Sequence, residues 1–129
     1  DKILLCRRAI EPRLGYWTLP AGYMELGETP NAGAKREAWE EARARLTIKD
    51  LLAIYSLQHI SQVQLIYRAT LDTASIEPGP ESQVVGLFRW SDIPWDQLAF
   101  PTVSWALQHH KQLLGQDMIA PAGNMTHGL

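Results

Sequence analysis

Apolar residues in this chain come in short blocks separated by turn-forming residues. Ile3 to Cys6, flanked by Lys2 and by Arg7-Arg8, is too short and too apolar for a surface helix. It predicts a first strand over Lys2 to Arg8. Glu11 to Gly15, with Pro12 and Gly15, predicts a loop, and Trp17 to Pro20 a short extended piece before a sharp turn at Ala21-Gly22. Thr29-Pro30 is a helix-entry signal, with Thr29 as N-cap and Pro30 in the first helical position. The helix is expected to run to about Arg45, with Ala34, Ala38 and Ala42 forming a narrow stripe able to press closely on a sheet.

Leu51 to Leu57 and Val63 to Leu71 are rich in Ile, Val, Leu and Tyr and predict two further strands. Ile76 to Pro80 predicts a loop, Val84 to Trp90 a strand, Trp95 to Phe100 a short helical turn, and Thr102 to Leu114 an amphipathic closing helix. Strands interrupted by one helix and closed by another imply an α/β sandwich. On this reading residues 1–114 form one domain. Gly115 to Leu129 has no period and is expected to be a mobile or partner-bound tail.

Composition narrows the picture without changing it. A chain of 129 residues, 46% hydrophobic, suits one domain with a real core. The net charge of −2 is spread along the chain, and no basic tract points to nucleic acid. No apolar run reaches membrane-spanning length. The single cysteine, Cys6, excludes an internal disulfide and is compatible with a reducing cytoplasmic location. Asp1 leads directly into an apolar block, which raises the expectation of a trimmed upstream segment.

The chemistry concentrates in residues 22–44, GYMELGETPNAGAKREAWEEARA. On a helix at about 100° per residue, Glu37, Glu40 and Glu41 share one arc as i, i+3 and i+4 neighbours. Three carboxylates so placed repel one another. Their crowding makes sense around a hard divalent cation such as Mg²⁺ or Mn²⁺, which prefers oxygen ligands. A plain solvated helix face is the alternative reading of the run.

The spacing resembles the Nudix box, GX5EX7REUXEEXGU with U a bulky aliphatic residue. Gly22, Glu28, Arg36, Glu37, Glu40 and Glu41 match, while Ala38 and Ala44 are smaller than U and Arg43 replaces the second glycine. The resemblance implies a Nudix-type α/β/α sandwich, with a mixed sheet between helices, that uses a divalent metal to hydrolyse nucleoside diphosphate derivatives. It implies Glu37, Glu40 and Glu41 as metal ligands together with the carbonyl of Gly22. Arg36 would hold Glu28 and lock the loop against the helix, and Glu37 or Glu41 would take a proton from water. At Arg43 the helix is expected to continue, since a left-handed arginine costs about 1 kcal/mol.

Beyond the box, CRRAIEPRLGYWTLPAGYMELGET, SLQHISQV, PGPES and DIPWDQLAF resemble a Nudix subgroup that includes FAD and ADP-ribose pyrophosphatases. Bacterial members often carry an N-terminal zinc ribbon, of which this sequence has no trace. FAD (to FMN and AMP) and ADP-ribose (to AMP and ribose 5-phosphate) are the implied substrates. No segment matches the one that marks the NADH-cleaving branch. Glu81 in PGPES would add an acidic group near the metal, or be a solvated loop residue; a second acid of that motif is replaced by Val84. Arg8 reads as a phosphate contact or as ordinary surface, and His59 as a substrate contact or a structural residue. Trp17, Trp90 and Trp95 read first as packing residues and second as stacking platforms for a base or flavin. A regulatory Nudix module that binds a nucleotide-derived ligand without turnover is the alternative function, and a hydrolase of free nucleoside triphosphates a third. Many relatives dimerise, so the resemblance allows a homodimer.

Overall fold

The computed structural model describes residues 2–117 and 119–128. The chain divides into two compact units, Asp1–Thr47 with Leu71–Ala99, and Ile48–Thr70 with Phe100–Leu129.

The first unit is built on an antiparallel sheet with β1 (Lys2–Arg8) between β2 (Trp17–Thr18) and β5 (Ser82–Arg89). Leu5 faces Gly86 across the β1–β5 ladder and Cys6 faces Val85, with a register shift between Arg7 and Arg8. A parallel bridge between Trp17 and Leu98 makes the pairing mixed. Helix α1 (Pro30–Ala42) starts where the sequence predicts, with the Thr29 hydroxyl accepting from the Ala32 N–H at 3.1 Å. Ala38, Ala42 and Ala44 are buried with Cys6, and Leu4, Leu46, Leu71, Ile76 and Val85 pack around them. Side chains this small let the helix backbone approach the apolar residues of β1 and β5 closely. Ala34 is only half-buried, and Gly33 is the buried residue in that turn.

Helix α1 stops at Ala42, three residues before the expected end. Arg43 takes the left-handed conformation (φ 50°, ψ 32°), so the expectation that the helix continues through it is corrected. The cost of about 1 kcal/mol for a non-glycine residue there is offset locally. The Arg43 backbone N–H donates to the Trp39 carbonyl at 2.8 Å, and its Nη1 reaches the same carbonyl at 3.0 Å. Its positive charge also sits at the negative end of the helix dipole.

The loop before β5 fastens onto this helix end. The N–H groups of Asp72, Glu77 and Gly79 donate to the carbonyls of Arg45 (2.8 Å), Ala42 (2.9 Å) and Glu41 (3.1 Å). Gly79 is buried, and a Cβ there would overlap the Glu40 carbonyl oxygen.

The second unit pairs β3 (Leu46–Leu57, whose first two residues belong to the first unit) with β4 (Gln62–Leu71, whose last residue does) and contains α2 (Pro101–Gln112). Strand β3 begins five residues earlier than expected, because Leu46, Ile48 and Asp50 alternate with exposed Thr47 and Lys49 in the period of a strand. Tyr55 is fully buried, edge-on to Trp105, with its hydroxyl 2.6 Å from His109 Nδ1. Arg68, also buried, pairs with Asp50 through both terminal oxygens and donates to the carbonyls of Leu113 and Gln116. In the segment expected as a tail, Ala122 bridges Ala53, Asn124 bonds the Ser56 backbone in both directions at 2.8 Å, and the His127 carbonyl accepts from the Trp105 indole.

Gly79→Ala should destabilise the protein by about 2–3 kcal/mol in urea denaturation, because its Cβ meets backbone that has no room to yield. An unchanged midpoint would mean that the loop is not seated on α1.

Candidate active site

The box residues lie together in the first unit, on α1 and the loop that enters it. Arg36 is their organiser. Its Nε and Nη2 donate to the two oxygens of Glu28 at 3.0 and 2.8 Å, a bidentate pair, and Nη2 also reaches the Tyr23 carbonyl at 3.0 Å. Glu28 in turn accepts from the Glu25 N–H at 2.7 Å. This network bends residues 23–28 back against the helix. Gly33 completes the seat, since a Cβ there would come within 2.9 Å of the Glu28 carboxylate. The Arg36 guanidinium, helped by the Glu25 N–H, holds the Glu28 carboxyl down to about 2.

The third arm of Arg36 faces the acidic arc. Nη1 donates to Glu37 at 2.8 Å and to Glu40 at 3.0 Å. Gly22 lies directly against the Glu37 carboxylate, so that a Cβ on Gly22 would overlap it. The backbone at Gly22 and the carboxylate of Glu37 therefore form a cradle that only glycine leaves open.

Glu41 occupies a different environment. Its Oε2 accepts from the Ala21 N–H at 3.0 Å, and its carboxyl is pushed up to about 7. Burial is the main cause, the negative charges of Glu37 and Glu81 add to it, and the Ala21 N–H and the Arg8 charge oppose it. Arg8 and Glu81 come near because the end of β1 meets the start of β5, where the Ala9 N–H donates to the Glu81 carbonyl at 2.9 Å. A small cleft here is lined by Arg8, Thr18, Glu41, Glu81 and Ser82, with Cys6 and Ile10. Burial, and then Glu41, pushes the Cys6 thiol up to about 12, so it is an unreactive packing group.

The donor set suits a hard cation: carboxylate oxygens of Glu37, Glu40 and Glu41 on one helix, a backbone cradle at Gly22, and a carboxyl at Glu41 whose ionisation burial resists. Among the described residues no three such side chains are gathered at metal-binding distance, with Arg36 holding Glu37 and Glu40.

The remaining expected site residues are placed as follows. His59 is exposed in the single turn Gln58–Ile60 of the second unit. Val84 sits on β5 opposite Arg7. Trp17 packs edge-on against Phe88, and Trp90 against Trp95. Two features escaped the sequence reading. The Ala21 N–H contact to Glu41 carries no side-chain signal. Gly79 was legible only as a loop residue of a Pro-Gly-Pro run, although its lack of a side chain is what seats the loop on α1.

Residues 1–111 match the family model of the NUDIX domain, and the chain belongs to the Nudix family. It is similar to the crystal structure of a NUDIX hydrolase from Nitrosomonas europaea, with 45% identity and a TM-score of 0.90 over 96% of this chain and 72% of that one. The fold is accordingly the Nudix α/β/α sandwich with a mixed sheet. It is 28% identical over 106 residues to an ADP-ribose pyrophosphatase from Methanocaldococcus jannaschii, covering 78% of this chain and 60% of the relative. A MutT-like protein from Streptomyces ambofaciens is 39% identical over 67 residues, 52% of this chain and 42% of the relative. The chain thus spans about half the length of these two sequence relatives. No helix among the described residues is long and apolar enough to cross a membrane.

The raised Glu41 carboxyl makes a signed prediction for the protein in EDTA. Its folded value lies above its unfolded value of 4.5, so the folded state holds the proton more tightly. The contribution is complete below pH 4.5 and is lost as pH rises through about 7. Stability should fall over that window by up to about 3 kcal/mol, and Glu41→Gln should flatten this part of the profile. A parallel decline in the variant would place the titration elsewhere.

Proposed function

We propose that the chain is a metal-dependent pyrophosphohydrolase that splits a nucleoside diphosphate joined to another group, with ADP-ribose as the leading substrate and FAD as the second. The observation that carries this reading is the geometry of the box, in which Arg36 fixes Glu28, Glu37 and Glu40 and the Gly22 backbone lies against the Glu37 carboxylate. Glu28 is held ionised by Arg36, and Glu41 is oriented by the Ala21 N–H at 3.0 Å. A carboxylate beside the reacting water can take its proton. The relationship to an ADP-ribose pyrophosphatase supports the substrate choice.

Glu37, Glu40 and Glu41, with the Gly22 carbonyl, would hold Mg²⁺ or Mn²⁺. When bound, the ion supplies charge neutralisation for the pyrophosphate oxygens and makes a nearby water more acidic. The protein does the rest. Glu41, oriented by the Ala21 N–H, takes the proton as the water oxygen bonds to phosphorus. The bridging P–O bond breaks, and ADP-ribose leaves as AMP and ribose 5-phosphate. Arg36 positions Glu28, Glu37 and Glu40 without touching substrate. Arg8, lining the cleft beside Glu41, would meet a phosphate, and Glu81 adds negative charge at the cleft. His59, exposed in its turn, would contact substrate or serve a structural role. A cytoplasmic location is read from the single cysteine, Cys6, and a homodimer from the resemblance. The regulatory alternative leaned on Arg43 and Val84. Arg43 makes the left-handed turn that a glycine would make, which weakens that reading.

AMP release from ADP-ribose, FAD, NADH and dGTP, with Mg²⁺, Mn²⁺ or EDTA, tests the proposal. Cleavage of ADP-ribose or FAD should dominate and vanish in EDTA. Glu41→Gln should lower kcat by roughly a hundredfold or more while the fold persists. Tight binding of a nucleotide without release of AMP would favour the regulatory module instead.

A further inference from the structure

On the far side of α1 lies a second cluster that the reaction does not use. Trp39 projects about 160° around the helix from Glu41 and is 42% exposed. The Arg45 guanidinium stands 4.6 Å from its ring centroid and that of Arg43 5.5 Å. Thr73, Ser75 and Glu77, on the loop before β5, close the opposite wall of a cleft of about 250 Å³. The walls are fixed by backbone bonds, from the Asp72 N–H to the Arg45 carbonyl and from the Glu77 N–H to the Ala42 carbonyl.

The charges in this cleft do not balance. Two guanidinium groups share one indole ring, and the single carboxylate lining the cleft, that of Glu77, forms no ion pair with either among the described residues. Arg43 spends Nη1 on the carbonyls of Trp39 and Glu40. It thereby covers the last-turn oxygens that would repel an anion. The Arg45 guanidinium makes no hydrogen bond among the described residues, so its planar fork is available. The hydroxyls of Thr73 and Ser75 can each donate one hydrogen bond.

We propose that this cleft is a second binding site, separate from the acidic face, for a phosphate monoester, either free or carried by a nucleotide. Arg45 takes two phosphate oxygens as a fork, Thr73 and Ser75 donate to the others, and Trp39 holds the guanidinium in place. The position that departs from the box glycine, Arg43, gains a purpose in this arrangement. It turns the chain and supplies part of the positive field.

The test is NMR titration of the whole chain in EDTA at constant ionic strength, which removes metal-mediated binding and turnover at the carboxylates. Orthophosphate, AMP and adenosine are added separately, and the Trp39 indole N–H and Arg45 side-chain signals are followed. Orthophosphate and AMP should give saturable shifts centred on those signals. Arg45→Gln and Thr73→Val should each weaken binding, the former by about tenfold, while metal-dependent hydrolysis is unchanged. Tighter binding of AMP would make a nucleotide the occupant, and equal binding would make it the phosphate group alone. Shifts that do not saturate, that survive Arg45→Gln, or that adenosine reproduces would overturn the proposal. Failure of hydrolysis in Mg²⁺ would leave this outcome untouched, because the two sites share no residue.

Discussion

The geometry of the box depends on a single guanidinium. Arg36 presents five N–H donors in a rigid plane, and the chain spends them on Glu28, the Tyr23 carbonyl, Glu37 and Glu40. One positive charge thus stands among four carboxylates, counting Glu25 at 3.5 Å. Without it the loop from Gly22 to Glu28 would have no reason to fold back, and the acidic arc would splay under its own repulsion. A lysine could offset charge but could not hold both oxygens of Glu28 and a carbonyl at once. One guanidinium is therefore what gives the carboxylates of the box their positions.

Backbone proximity is the second constraint. Gly22 lies against Glu37, Gly33 against Glu28 and Gly79 against the Glu40 carbonyl, three places where a single added carbon would force part of the box to shift. The buried alanines of α1 serve the same end on the side facing β1 and β5. Ala38 on α1 and Ala44 just past its end, smaller than the aliphatic residues usual at those positions, fit a helix drawn in close to its neighbours.

Local signals made much of this legible. Thr29-Pro30 marked the helix start, apolar blocks marked four of the five strands, and Trp17-Thr18 fell in the expected short extended piece, because capping and strand alternation are properties of short segments. The Arg36–Glu28 contact followed from resemblance to the box. Two boundaries were missed for physical reasons. Arg43 stops the helix because its own side chain reaches back to cap it, an option that propensity does not register. Leu46 to Asp50 alternates correctly for a strand, but its polar members, Thr47, Lys49 and Asp50, interrupt the apolar block that marked the strand from Leu51. The tuning of Glu41 was not legible at all, since it arises from burial, an amide of Ala21, and charges from residues 33 positions before and 40 after it.

That tuning links two kinds of ligand. A carboxyl that holds its proton to about pH 7 offers the same oxygens to a proton and to a cation, and the two compete. In a site that takes up Mg²⁺ below neutrality, loading would expel a proton into the medium. Apparent metal affinity would then weaken by roughly tenfold for each step in pH below that point. The heat of loading would also vary with the buffer that receives the proton. Loaded with a cation, the acidic face would in this sense be an ion exchanger, and the acidity of its surroundings would regulate how full it is.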